Sequence, residues 1–148
     1  MTDEELKDRL AIGDLLAACT QAGDARKADA YADCFAEDGV LQLDQAYAGR
    51  ETIRQWMRGP SPIPPPKDAE AAEQKPAGFI SHHLTTSKVD LLGDGTAKAR
   101  TYWLVTSATG LDHNGYYDDL LRKEDGAWRL AHRRPRTLWI SPDSVLHG

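Results

Sequence analysis

Apolar residues recur at helical spacing from the start of the chain. Leu6, Leu10, Gly13, Ala17 and Cys19 lie near one stripe, widened by Ile12, Leu15 and Leu16, which predicts a helix from about Thr2 to Gln21. Thr2, followed three residues later by Glu5, has the form of a capping box. Gly23 interrupts the pattern. A second helix is expected from Ala25 to about Glu37, with Tyr31, Cys34 and Phe35 on its apolar side and Asp38-Gly39 as its stop. Val40 to Leu43 reads as a short strand, and Gly49 opens a short helix from Glu51 to Arg58 that carries Ile53, Trp56 and Met57.

Between Gly59 and Gly78 the periodicity collapses. Pro60, Pro62, Pro64, Pro65, Pro66 and Pro76 mark this stretch as a loop, read either as a lid over a pocket or as plain disorder. Alternation then takes over. Strands are expected over Phe79 to Leu92, Thr96 to Ser107, Leu111 to Arg122 and Ala127 to Ile140, with turns at Gly93-Asp94-Gly95 and Lys123 to Gly126. Helices first and strands later, joined by short turns, argue an α+β fold with an antiparallel meander rather than βαβ units. A curved sheet cupping the helices would enclose a cavity.

Length and composition narrow the class. At 148 residues the prior is a single domain with one core and room for a small pocket. Hydrophobic residues at 41% and charged residues at 28% suit a globular chain. Eighteen Lys and Arg against 23 Asp and Glu leave a net charge of −5, which argues against a nucleic-acid partner. Two cysteines, Cys19 and Cys34, do not make a disulfide framework or a thiolate metal site. Neither a signal peptide nor an apolar run of membrane-spanning length is seen, so a cytoplasmic location and no membrane contact are expected. Dinucleotide-binding, phosphate-loop, serine-hydrolase and zinc-protease motifs are absent from the sequence.

Candidate chemistry centres on His82 and His83. Neighbouring strand residues face opposite ways, so at most one of the two enters a cavity. His83 shares parity with Thr85, Ser87 and Val89, while His82 shares it with Leu84, Thr86 and Lys88. The face carrying Lys88 more easily meets solvent, which assigns His83 to the interior. Asp24, between the two expected helices, has two readings: N-cap of the second helix, or the carboxylate that holds an imidazole and fixes its tautomer. Tyr117 shares parity with Gly115 and Asp119 and can donate a hydrogen bond. Of the adjacent pair Tyr102 and Trp103, one should face inward. Tyr31, two helical turns from Asp24, and Trp56 are candidates for the cavity wall. Arg133 shares parity with Arg129 and Ala131, opposite the apolar Trp128 and Leu130, which by itself turns it outward.

Ile12-Gly13-Asp14-Leu15-Leu16 leading to Asp24, then Phe35, Glu37-Asp38-Gly39, His82-His83-Leu84, Tyr117, Asp119 and Gly126-Ala127-Trp128-Arg129 form an ordered set. Over roughly residues 4 to 140 it resembles the SnoaL-like branch of the nuclear transport factor 2-like superfamily, with scytalone dehydratase and hexachlorocyclohexane dehydrochlorinase as the nearest in mechanism. The resemblance implies a cone-shaped antiparallel or mixed sheet around N-terminal helices with a central pocket. It implies a cofactor-independent lyase, a dehydratase or related eliminating enzyme, with no metal, acting on a small, mostly apolar cyclic or aromatic oxygenated substrate. Asp24 and His83 would form its general-base dyad, with Tyr117 as a further catalytic group. Tyr31, Trp56, His82, Tyr102 and Arg133 would contact substrate, Arg133 as a clamp on a substrate oxygen. Ser87 stands where relatives often carry Asn. The same resemblance covers isomerases, cyclases, non-catalytic binders and accessory subunits, and implies a homodimer or homotrimer.

Overall fold

The computed structural model describes residues 1–61 and 79–147. Most of the expected proline-rich loop therefore lies outside the described residues. The first helix, α1 (Asp3–Asp24), opens on the capping box of Thr2 and Glu5, in which each side chain takes the other's backbone N–H. Its buried face is Ile12, Leu15, Leu16, Cys19 and Ala22. Leu6 and Leu10, expected on that face, are exposed, because the 3.6-residue period running through Ile12 and Cys19 leaves them on the opposite side.

The second helix, α2 (Ala28–Asp33), is shorter than expected. Asp24 does not cap it: Lys27 holds the N-cap position, with no side-chain hydrogen bond. Phe35 is fully buried as expected but begins a strand, β1 (Phe35–Gln42), whose pairing slips between Phe35 and Val40. A short hairpin partner, β2 (Ala46–Ala48), and helix α3 (Arg50–Arg58) follow. Four long strands complete the sheet: β3 (Ser81–Leu91), β4 (Thr96–Ser107), β5 (Gly110–Glu124) and β6 (Ala127–Ile140). A 3-10 turn, Val145–His147, ends the described chain.

The six strands run in the order β2-β1-β6-β5-β4-β3. All neighbours are antiparallel except β1 and β6, which are parallel. The fold is α+β, with a curved sheet packed against the N-terminal helices. Ile12, Phe35, Leu41, Ile53, Leu121 and Leu130 are fully buried where α1, α3 and the sheet meet. Each such side chain contributes about 1.5–3 kcal/mol relative to exposure.

Extra residues break the alternation on three strands and aim the side chains of the concave face. On β3 the register slips between Leu84 and Ser87, so Thr85 and Thr86 together face one residue of β4. On β5, Leu111 and His113 pair with the adjacent Thr106 and Val105, leaving Asp112 as an extra residue. On β6, Ala131 is extra between Leu130 and His132. Each is a β-bulge, which re-aims every side chain beyond it.

Candidate functional site

The concave face of the sheet is built in rows. Leu91, Ala97, Leu121 and Leu130 form an apolar floor. Above it Val89 and Ala99 line up with Asp119 and Arg133, then Ser87 and Thr101 with Tyr117, then Leu84 and Trp103 with Gly115. The last row is His82, Val105 and His113. The small Ala99 and Gly115 leave space for the larger groups beside them.

A cavity of about 650 Å³ lies between this face and the helices. Tyr31, Leu41, Trp56 and Met57 line its helical and β1 side. His82, Trp103, His113, Tyr117 and Arg133 line the sheet side. The wall is mostly apolar and aromatic, with polar groups gathered at a few points, as ligand sites usually are.

Asp24 ends α1 at the cavity edge. Its Oδ1 lies 2.7 Å from Nδ1 of His82, and its Oδ2 accepts the His82 backbone N–H at 2.8 Å. A carboxylate oxygen accepts, so Nδ1 carries the proton, and in the neutral ring Nε2 keeps the lone pair. The expected partner, His83, is not there. It is exposed on the other face, with Nε2 3.2 Å from Thr106 Oγ1. The β3 bulge explains the difference. Counting back by twos from Val89 and Ser87 leads to His83, whereas the extra residue at Thr85-Thr86 moves the inward position to Leu84 and His82.

His113 stands two strands from His82 across Val105, and the two rings meet edge to face at 6.4 Å between centroids. Trp103 packs against both, at 5.8 and 5.7 Å. His113 has its own carboxylate, with Nδ1 2.6 Å from Oδ1 of Asp112. Adjacent residues on a regular strand cannot share a face, but the bulge turns both inward, and Asp112 is fully buried. Burial opposes ionisation of Asp112. Hydrogen bonds from Ser144, the Val145 N–H, His113 and Ser107 outweigh it and hold the carboxyl well below the usual carboxylate range. The sequence carried a signal for His113, since it has the parity of Gly115, Tyr117 and Asp119.

Tyr117 is buried in the wall, 5.7 Å from the Trp103 ring, and burial pushes its hydroxyl up, so it stays a donor. Tyr31 lines the cavity and is pushed up for the same reason. It packs against Trp56, also in the wall, at 6.2 Å. Tyr102 does not reach the cavity. It is 41% exposed, its ring tilted against that of Tyr116 with 5.5 Å between centroids, while its neighbour Trp103 faces inward.

Arg133 faces inward despite its parity with Arg129, because the Ala131 bulge lets Trp128, Leu130 and Arg133 share one face. Its Nε and Nη2 donate to the two oxygens of Asp119, each at 2.9 Å. Nη1 donates to the Cys19 sulfur at 3.4 Å, and the guanidinium lies 3.9 Å over the Tyr117 ring. Burial works against the Arg133 charge, but Asp119 prevails and raises it further. Removing one partner of such a buried pair costs about 3–5 kcal/mol. The fork that would grip a substrate oxygen is thus occupied by Asp119. Among the described residues, no group of three or more His, Cys, Asp or Glu is placed to hold a metal ion, and no helix is long and apolar enough to cross a membrane.

Several solved structures share this architecture. A variant of Rv3472 from Mycobacterium tuberculosis, a protein of unknown function, is 27% identical with a TM-score of 0.69, over 93% of this chain and 80% of that one. A protein provisionally named scytalone dehydratase, from Novosphingobium aromaticivorans, has a TM-score of 0.73 at 20% identity, over 95% and 91% of the two chains. ActVI-ORFA from Streptomyces coelicolor has a TM-score of 0.70 at 20% identity, over 93% and 99%. The last two are likenesses of fold. No curated protein matches the sequence. Residues 4–134 match the SnoaL-like domain, so the chain belongs to that family.

Proposed function

We propose that the chain is a cofactor-independent lyase that eliminates a β-leaving group, water in the dehydratase case, from a small, mostly apolar cyclic or aromatic oxygenated substrate. The observation that carries this reading is the pair of imidazoles on one cavity wall, each held at Nδ1 by a carboxylate, with rings 6.4 Å apart. His82, oriented by Asp24, takes a proton from substrate carbon through Nε2. The electron pair of that C–H bond becomes the new C=C bond as the C–O bond breaks. His113, in its protonated form, gives its Nε2 proton to the departing oxygen, which leaves as water. Proton return from His82 through solvent resets the pair. The step moves protons and one electron pair within the substrate, so it needs no external oxidant or reductant. A general base supplies on the order of 10²–10⁴-fold. Tyr117 lines the cavity and is kept protonated by burial, which supports its role here as donor to an oxygen that gains charge.

The test is turnover of hydroxylated, partly saturated bicyclic ketones, followed by the absorbance of the new conjugated bond. Wild-type protein should convert at least one of them, and His82→Gln and Asp24→Asn should each lose about 10²–10⁴-fold while keeping the wild-type unfolding temperature. Full activity in His82→Gln would remove the dyad from the mechanism. Saturable binding of these ketones with no conversion would favour a binding protein instead, a reading the apolar wall of the cavity also supports.

A further inference from the structure

The Asp112 carboxylate has four donors. Oδ1 accepts from His113 Nδ1 at 2.6 Å and from Ser144 Oγ at 2.5 Å. Oδ2 accepts from Ser107 Oγ at 2.8 Å and from the Val145 N–H at 2.9 Å. Ser144 and Val145 belong to the segment after β6, and the Ser141 N–H adds a bond to the Asp112 carbonyl at 2.8 Å. Leu146, next in line, is part of the cavity wall. The end of the described chain is therefore tied to the residue that holds His113, and it touches the space a ligand would fill.

An ionised carboxylate offers about four acceptor directions. Three here are taken by Ser144, Ser107 and the Val145 N–H, so the carboxylate cannot turn, and the direction left on Oδ1 fixes where an imidazole N–H must point. We propose that Ser144 and the Val145 N–H are positioning groups for His113: docking of this segment on Asp112 fixes the Nδ1–H tautomer and keeps Nε2 toward the cavity. This deepens the elimination mechanism, in which His113 is the acid, but it concerns the orientation of the ring, and its test does not depend on turnover.

The experiment records long-range proton–nitrogen spectra of the full-length chain with ¹⁵N-labelled histidine, with signals assigned by His113→Gln and His82→Gln. In wild-type protein, at a pH where the ring is neutral, His113 should show one protonated and one bare ring nitrogen. Ser144→Ala should draw the two signals toward their average, Ser144→Thr should restore them, and His82 should not change. Val145→Pro removes the backbone donor, at the first position of a helical turn where proline is tolerated, and should act like Ser144→Ala. It decides the matter if Ser144→Ala fails to fold. An unchanged His113 pattern in the variants, or a parallel change in His82 that marks general loosening, would overturn the proposal. Lost turnover with an unchanged His113 pattern would overturn this proposal and leave the elimination standing. A changed pattern in a protein that converts no substrate would do the reverse.

Discussion

A β-carbon on Gly115 would stand 1.9 Å from the Arg136 carbonyl oxygen and 2.7 Å from Cζ2 of Trp103. The constraint is space, not backbone conformation, and the nearest atom is main chain on β6, which cannot swing aside. The missing side chain lets Trp103 lie across β5 and reach His82, His113 and Tyr117 together. Gly115→Ala should therefore push β6 away from β5 and tilt the indole. A destabilisation of about 1–3 kcal/mol is expected, read as a fall in denaturant midpoint. A midpoint equal to wild type would show that the sheet yields at no cost. The sequence places the glycine on the strand face of Tyr117, but its steric reason is not legible there, because Arg136 lies 21 residues further on and meets Gly115 only through the pairing of β5 with β6.

Strand boundaries were readable to within a residue or two over β3 to β6, because alternation and Gly-containing turns both mark them. Which residues face inward was readable only as far as the next bulge. Alternation from Val89 reaches Ser87 on the inward face and, continued by twos, arrives at His83, past the break at Thr85-Thr86. At Ala131 the same kind of break hides Arg133, and on β5 it hides the pairing of Asp112 with His113. A bulge has no strong local signature in Thr-Thr or Ala, so it has to be seen in the pairing. The second helix ended early for a related reason: Phe35 buries as well from a strand beside Leu130 as from a helix face. These breaks lead to a prediction for β3. Deleting Thr86 should restore plain alternation with Leu84 and His82 still inward, so the Asp24–His82 pair persists and cooperative unfolding is retained. Deleting Arg100 from the unbroken β4 strand should reverse every inward position on one side of it and abolish the cooperative transition. Equal behaviour of the two deletions in a thermal melt would refute the bulge assignment.

Across the whole molecule, the buried Asp112 couples the cavity wall to acid stability. Its carboxyl titrates lower in the folded protein than in the unfolded chain, whose aspartates titrate near 3.9. The unfolded state therefore binds the proton first as pH falls. The contribution of Asp112 to stability is complete above about pH 5 and is lost progressively below about pH 4. Denaturant midpoints measured from pH 5 down to pH 3 should fall more steeply for wild type than for Asp112→Asn, and equal slopes would remove Asp112 from the account. The cavity also has a use that needs no knowledge of its ligand. Of the four tryptophans, Trp56 and Trp103 stand in its wall on opposite sides. Trp128 instead donates its indole N–H to Asp8, and Trp139 is half-exposed on the surface. A compound that settles between Trp56 and Trp103 will alter their fluorescence, so emission alone can rank a chemical library by occupancy before any product has been identified.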